Sequence, residues 1–247
     1  MSKDIAYIII SAFAVLVTLT VHEYFHAYTA YKLGDPTARN LGRMTLNPIH
    51  HIDPIGALCM IVFHFGWAKP VPLNVRNFKN PKKDIALVAL AGPLSNLVIA
   101  FLSALVYLSG YAIFKNRLFE SQFLLSIVQN VLTFFYVFHL INLGLFVFNL
   151  IPVPPLDGSR ILNLILPQRA SYALHKHERT IYFVMIGWLL LGDMFVSAIL
   201  SLPFISSSPI ISNIIYYLSL SNILGFAIDG LSGLMMGLLR LLPFLNF

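Results

Sequence analysis

Residues 19–35 read "LTVHEYFHAYTAYKLGD". Two histidines, His22 and His26, stand four apart with Glu23 directly after the first, and all three close an apolar run that begins near Ile5. That run is long enough to cross a bilayer with tilt. It has no small-x-small cleavage site ahead of its polar cluster, so it reads as a retained span rather than a leader. Charged groups within a membrane helix cost about 2.5–3.5 kcal/mol each on insertion scales. The stretch therefore decides two things together: its helix lies in a membrane, and the end of that helix carries chemistry worth the cost.

Composition extends the reading to the whole chain. Of 247 residues, 58% are hydrophobic and only 11% charged, and mean hydropathy is +0.80. So few charges cannot cover the surface of a soluble domain, which makes the chain an all-α polytopic membrane protein embedded in a lipid bilayer. The net charge of +6 comes without a basic helix or basic–aromatic interleaving, so no nucleic-acid partner is expected. Cys59 is the single cysteine, which excludes an intramolecular disulfide.

Apolar runs place spans at about 5–31, 85–110, 122–150, 181–201 and 209–240, the last being one span with a surface helix or two short ones. Five to six transmembrane helices follow, in one domain covering 1–247. Between the first two spans, "GALCMIVFHFGW" (56–67) is apolar but too short to cross, and "WAKPVPLNV" (67–75) alternates like a strand whose prolines confine it to an edge. A small membrane-associated β-hairpin or re-entrant segment is expected there. The segments 32–84 and 151–180 together with Arg240 hold all basic residues except Lys3, Lys115 and Arg117. By the positive-inside rule, the side bearing the histidines faces the cytoplasm.

Histidines four apart on a helix share one face, one turn apart, and can bind one metal. Glu23 is rotated by about 100° from His22, so it can serve as a general base without filling a coordination position. Two histidines and such a glutamate are the HExxH pattern of zinc hydrolases. A third ligand must come from elsewhere. Glu120 and Glu178 lie in loops without a supporting motif. Asp157, in "NLIPVPPLDGSRIL" (149–162), sits where a membrane helix breaks beside a glycine. A carboxylate there can point back at the first span or cap the helix starting near Ser159. Structural roles are expected for His50, His51 and His64. His139 is expected to hydrogen-bond across helices, and Asp193 and Asp229 to lie at span ends.

"HEYFHAYTA" at the end of a first span and "NLIPVPPLDGSRIL" some 130 residues later together resemble the two signatures of the site-2 protease family of intramembrane zinc metalloproteases. "LGRMTLNPIHHIDPIG" (41–56), "GWAKPVPLNVRNF" (66–78) and "ALVALAGPLSNL" (86–97) resemble its short bacterial members, without PDZ or CBS domain. The likeness covers roughly residues 10–165, and the catalytic core is expected over about 5–165. The resemblance implies one zinc ion held by His22, His26 and Asp157, with Glu23 activating water. It further implies a transmembrane protein or peptide substrate, cut within or near the membrane, and a place in a bacterial cell membrane. Asn149 matches an asparagine that contacts substrate or the developing oxyanion in the family, or else satisfies backbone groups at the helix break. Asn96 is expected to be a polar helix-packing residue. The competing function is a membrane metal transporter or metal-binding protein, which has no need of Glu23 beside the first histidine.

Overall fold

The computed structural model describes residues 3–63, 66–115, 117, 121–202, 205, 208–217 and 219–243; His64 and Glu120 lie outside them. The first apolar run is α1 (Lys3–Lys32). It ends where Gly34 takes φ 107°, a left-handed conformation natural to glycine, and the Asp35 amide donates back to the Ala30 carbonyl at 2.9 Å. The fully buried Asp35 carboxylate then accepts from the Asn74 amide and from Asn77 Nδ2, each at 2.7 Å. One turn beyond α1, a single side chain thus pins the whole approach to the next span.

Next come α2 (Thr37–Asn40) and the short apolar α3 (Pro54–Phe63). An antiparallel bridge between Ile52 and Ala68 brackets α3, supported by Lys69 N–H donating to the His51 carbonyl at 2.8 Å. This corrects the expected β-hairpin: among the described residues the segment is a short apolar helix whose flanks meet in one bridge, with no strand. Pro70 and Pro72 lack an N–H, and the Val71 N–H between them donates to Glu23, so no ladder can propagate.

The remaining helices are α4 (Pro81–Phe114), α5 (Gln122–Asn149), α6 (Asp157–Ile165), α7 (Gln168–Lys176), α8 (Glu178–Leu200), α9 (Pro209–Tyr216) and α10 (Leu220–Arg240). Four of them, α1, α4, α5 and α10, are long and apolar enough to span; α8 makes a fifth if its two halves, bent by 52°, are one crossing. Four is one short of the expected five to six and five is their lower end, because among the described residues α9 is too short and the tail contributes only α10.

At the centre stands α4, against which α1, α5, α6 and α10 pack. Lipid is as apolar as leucine, so close approach and polar contacts hold such helices together. Small residues permit the approach: Ala14 on α1, and Ala100 and Ala104 on α4, are fully buried. Asn142 on α5 donates to Thr18 Oγ1 on α1 at 2.9 Å. His139, also on α5, donates from Nδ1 to the Ala100 carbonyl and accepts at Nε2 from Ser232 on α10, each at 2.9 Å. One imidazole therefore ties three helices, as expected of it. Asp193 accepts from Ser219, just ahead of α10, and from Ser221 in its first turn. Asp229, expected at a span end, lies instead halfway along α10 and exposed.

Candidate metal centre

The last turns of α1 place His22 and His26 on one face, both buried, with their Nε2 atoms 2.9 Å apart. Across from them, α5 stops at Asn149 and the chain folds back through short turns, Val153 N–H to the Ile151 carbonyl at 2.8 Å and Leu156 N–H to Val153 at 3.0 Å. Gly158 makes this reversal possible, since a Cβ there would stand 2.4 Å from the Leu150 carbonyl oxygen. Asp157 is itself the first residue of α6, and the cap position is Leu156. The carboxylate is thus not spent on capping.

It points at the histidines instead. Asp157 Oδ2 lies 3.2 Å from the Nε2 atoms of both His22 and His26. Among the described residues, these three are the one group of potential ligands whose donor atoms converge. Asp157 Oδ2 is buried and takes no hydrogen bond. Two ligands about 2.0–2.1 Å from a tetrahedral zinc stand about 3.3 Å apart. The observed spacings lie close to that value, and two imidazoles with one carboxylate leave a fourth position open. The residues fit a catalytic zinc.

Glu23 is half-buried at the edge of this cluster, its Oε2 accepting from the Val71 N–H at 3.1 Å. Both open into a cavity of about 660 Å³, walled by Trp67 and Val71 of the segment after α3, Phe148 and Asn149 of α5, and Tyr182 of α8. Asn149 faces this cavity while its amide donates to the Leu145 carbonyl at 3.0 Å, within its own helix. Glu178 lines the outer wall, 3.6 Å from His175, and is no part of the ligand cluster. His51 is buried and donates from Nε2 to the Thr45 carbonyl at 2.8 Å, a structural contact, whereas His50 is exposed on a turn.

Sequence reasoning missed the α4 side of the site. Val88 accepts from His26 Nδ1 at 2.7 Å, which leaves the His26 Nε2 lone pair facing Asp157. Asn96 Nδ2 lies 3.0 Å from His22 Nδ1. Gly92, between them, lies so close that a Cβ would be 2.5 Å from His26 Nε2 and 2.6 Å from His22 Cε1. The spacing 88–92–96 is one turn each, and that signal was present in "VALAGPLSN".

The chain matches the profile of Peptidase family M50 over residues 10–192. It belongs to that family. This M50 peptidase is a zinc metallopeptidase and an integral, multi-pass membrane protein. It is 44% identical over 171 residues to the "Putative zinc metalloprotease YwhC" of Bacillus subtilis, covering 69% of this chain and 75% of that protein. It is also similar to the "Putative zinc metalloprotease Rip2" of Mycolicibacterium smegmatis, 28% over 185 residues, covering 71% and 64%. A third relative is "Zinc metalloprotease MJ0392" of Methanocaldococcus jannaschii, 30% over 156 residues, covering 63% and 34%. No solved structure matches.

Proposed function

We propose that this M50 peptidase is an intramembrane endopeptidase that hydrolyses peptide bonds in or near transmembrane segments of other membrane proteins. The carrying observation is the convergence of His22, His26 and Asp157 at the floor of a cavity that also receives Glu23. His22, His26 and Asp157 hold the zinc. When bound, zinc acts as a Lewis acid toward the scissile carbonyl and makes water a competent nucleophile near neutral pH.

The protein's own groups do the rest. Glu23 accepts a proton from the attacking water and returns it to the departing amine nitrogen, with the Val71 N–H holding the carboxylate in place. Asn149 faces the substrate, and while one N–H of its amide is given to the Leu145 carbonyl the other can donate to the developing oxyanion. A substrate helix hides its carbonyls in its own hydrogen bonds, so it must unwind to enter. The cavity wall at 66–73 offers backbone carbonyls to the extended segment. The basic residues on the histidine side support an active site that faces the cytoplasm of a bacterial cell membrane.

Glu23→Gln tests the reading. The variant should bind one zinc per chain and keep its fold, yet release no fragments when membrane fractions are compared by proteomics with those of the wild type. Fragment release at the wild-type rate would remove Glu23 from this role.

A further inference from the structure

One stripe of α4 backs the metal centre: Val88, Gly92 and Asn96. Val88 supplies a carbonyl to His26 Nδ1, and Gly92 supplies room. Asn96 brings a carboxamide against His22 Nδ1. Its side chain is 0% exposed, and its Oδ1 makes no hydrogen bond among the described residues. A buried acceptor left idle is costly, so the placement of this amide calls for a reason beyond packing.

A carboxamide has two orientations of the same shape, and they have opposite consequences for His22. With the amino group toward the ring, it donates to Nδ1. The neutral imidazole then carries its proton on Nε2, the atom that faces His26 and Asp157, and a protonated nitrogen has no lone pair for a metal. With the oxygen toward the ring, Nδ1–H donates to Oδ1 and the Nε2 lone pair faces the centre. His26 already has that arrangement through the Val88 carbonyl. Turning the amide exchanges an idle acceptor for an idle donor at comparable cost, so the zinc–nitrogen bond decides between the two orientations.

We infer that Asn96 is the positioning residue that sets the tautomer of His22. Its Oδ1 accepts from Nδ1–H when zinc is bound, and Val88 and Asn96 act as matched acceptors behind the two imidazoles. This rests on His22 and His26 being zinc ligands. Partners of this kind fix ring orientation and raise ligand basicity, and losing one costs 10–100-fold in metal affinity.

Zinc affinity, measured by competition with a chelator on full-length protein in detergent, tests the inference beside thermal unfolding and ¹⁵N-histidine NMR of the zinc-loaded protein. Asn96→Leu should unfold at the wild-type temperature but bind zinc 10–100-fold more weakly. Asn96→Asp accepts and cannot donate, so it should bind zinc at least as tightly as the wild type, with the His22 proton on Nδ1. Wild-type affinity in Asn96→Leu would overturn the inference, as would an Asn96→Asp affinity as weak as that of Asn96→Leu. Should Asn96→Leu fail to fold, Asn96→Asp and the NMR tautomer decide alone. Failure of the underlying ligand assignment looks different: Asp157→Ala would then hold zinc as tightly as the wild type, whatever the Asn96 variants do.

Discussion

Gly92→Ala is the sharpest perturbation the site allows, because it adds one methyl group to the wall behind both imidazoles. The new Cβ would stand 2.5 Å from His26 Nε2 and Cε1 and 2.6 Å from His22 Cε1. Ordinary contact between such atoms is about 3.5–4.0 Å, so each ring must retreat by about 1 Å. His26 cannot swing freely, being held by its 2.7 Å hydrogen bond to the Val88 carbonyl. Metal–ligand distances tolerate about 0.2 Å, and a 1 Å displacement of working groups costs on the order of 100-fold in rate. Alanine, however, favours helix over glycine by about 1 kcal/mol, so α4 itself gives no reason to unfold. Overpacking costs about 1–3 kcal/mol, enough to cancel or exceed that gain, so the expected result is a folded protein of equal or modestly lower thermal stability that has lost most of its zinc and nearly all peptide cleavage. Metal analysis, thermal unfolding and fragment release on the same preparation would show it. Full zinc occupancy with wild-type cleavage would refute the packing argument.

Gly158→Ala should also abolish cleavage, but through Asp157. A Cβ 2.4 Å from the Leu150 carbonyl forces α6 away from its approach and draws the carboxylate off the histidines, so zinc occupancy should fall while α1 is untouched. At Asp35, burial acts to raise the pKa, but hydrogen bonds from Thr37, Asn74 and Asn77 outweigh it and hold the carboxyl below its ordinary value. A carboxylate depressed in the folded state stabilises fully above its unfolded pKa and loses that contribution as pH falls through the folded value. Protection of the amides at residues 74–77 relative to their intrinsic exchange should therefore be high at neutral pH and fall below about pH 4; Asp35→Ala should show low protection throughout, and equal protection in both proteins would remove Asp35 as the pin. A topology reporter fused within 166–177 should report cytoplasm and one at Lys115 the opposite side; the reverse would overturn the orientation drawn from the basic residues.

The chemistry of the site was legible where it depends on helical spacing and opaque where it depends on which faces meet. His22 and His26 follow from a four-residue interval. Chemistry alone left Asp157 open between a ligand and a helix cap, and only the resemblance named it; the fold adds that α6 starts at Asp157 with its Oδ2 turned toward the histidines. Asn96 and Gly92 were readable as a glycine and a polar residue one turn apart, but periodicity does not say that this stripe of α4 rather than another faces α1. The alternation in "WAKPVPLNV" misled because, past the Lys69 N–H that supports the one bridge, two prolines and the Val71 contact leave residues 70–72 no donors to extend it. Asp229 sits mid-helix because α10 runs unbroken from Leu220 to Arg240, where the tail seemed divided.

The converging side chains come from opposite ends of more than half the chain, two from α1 and one from α6. A membrane protein is made and inserted from its N-terminus. While the first span, α3 and both helices of the central hairpin are made, the histidines therefore have no carboxylate to meet. Only when the turn after Asn149 has formed does the site close. Dividing the site between an early and a later segment leaves the two histidines without their carboxylate neighbour until α6 has been made, with α8 and α10 still to follow.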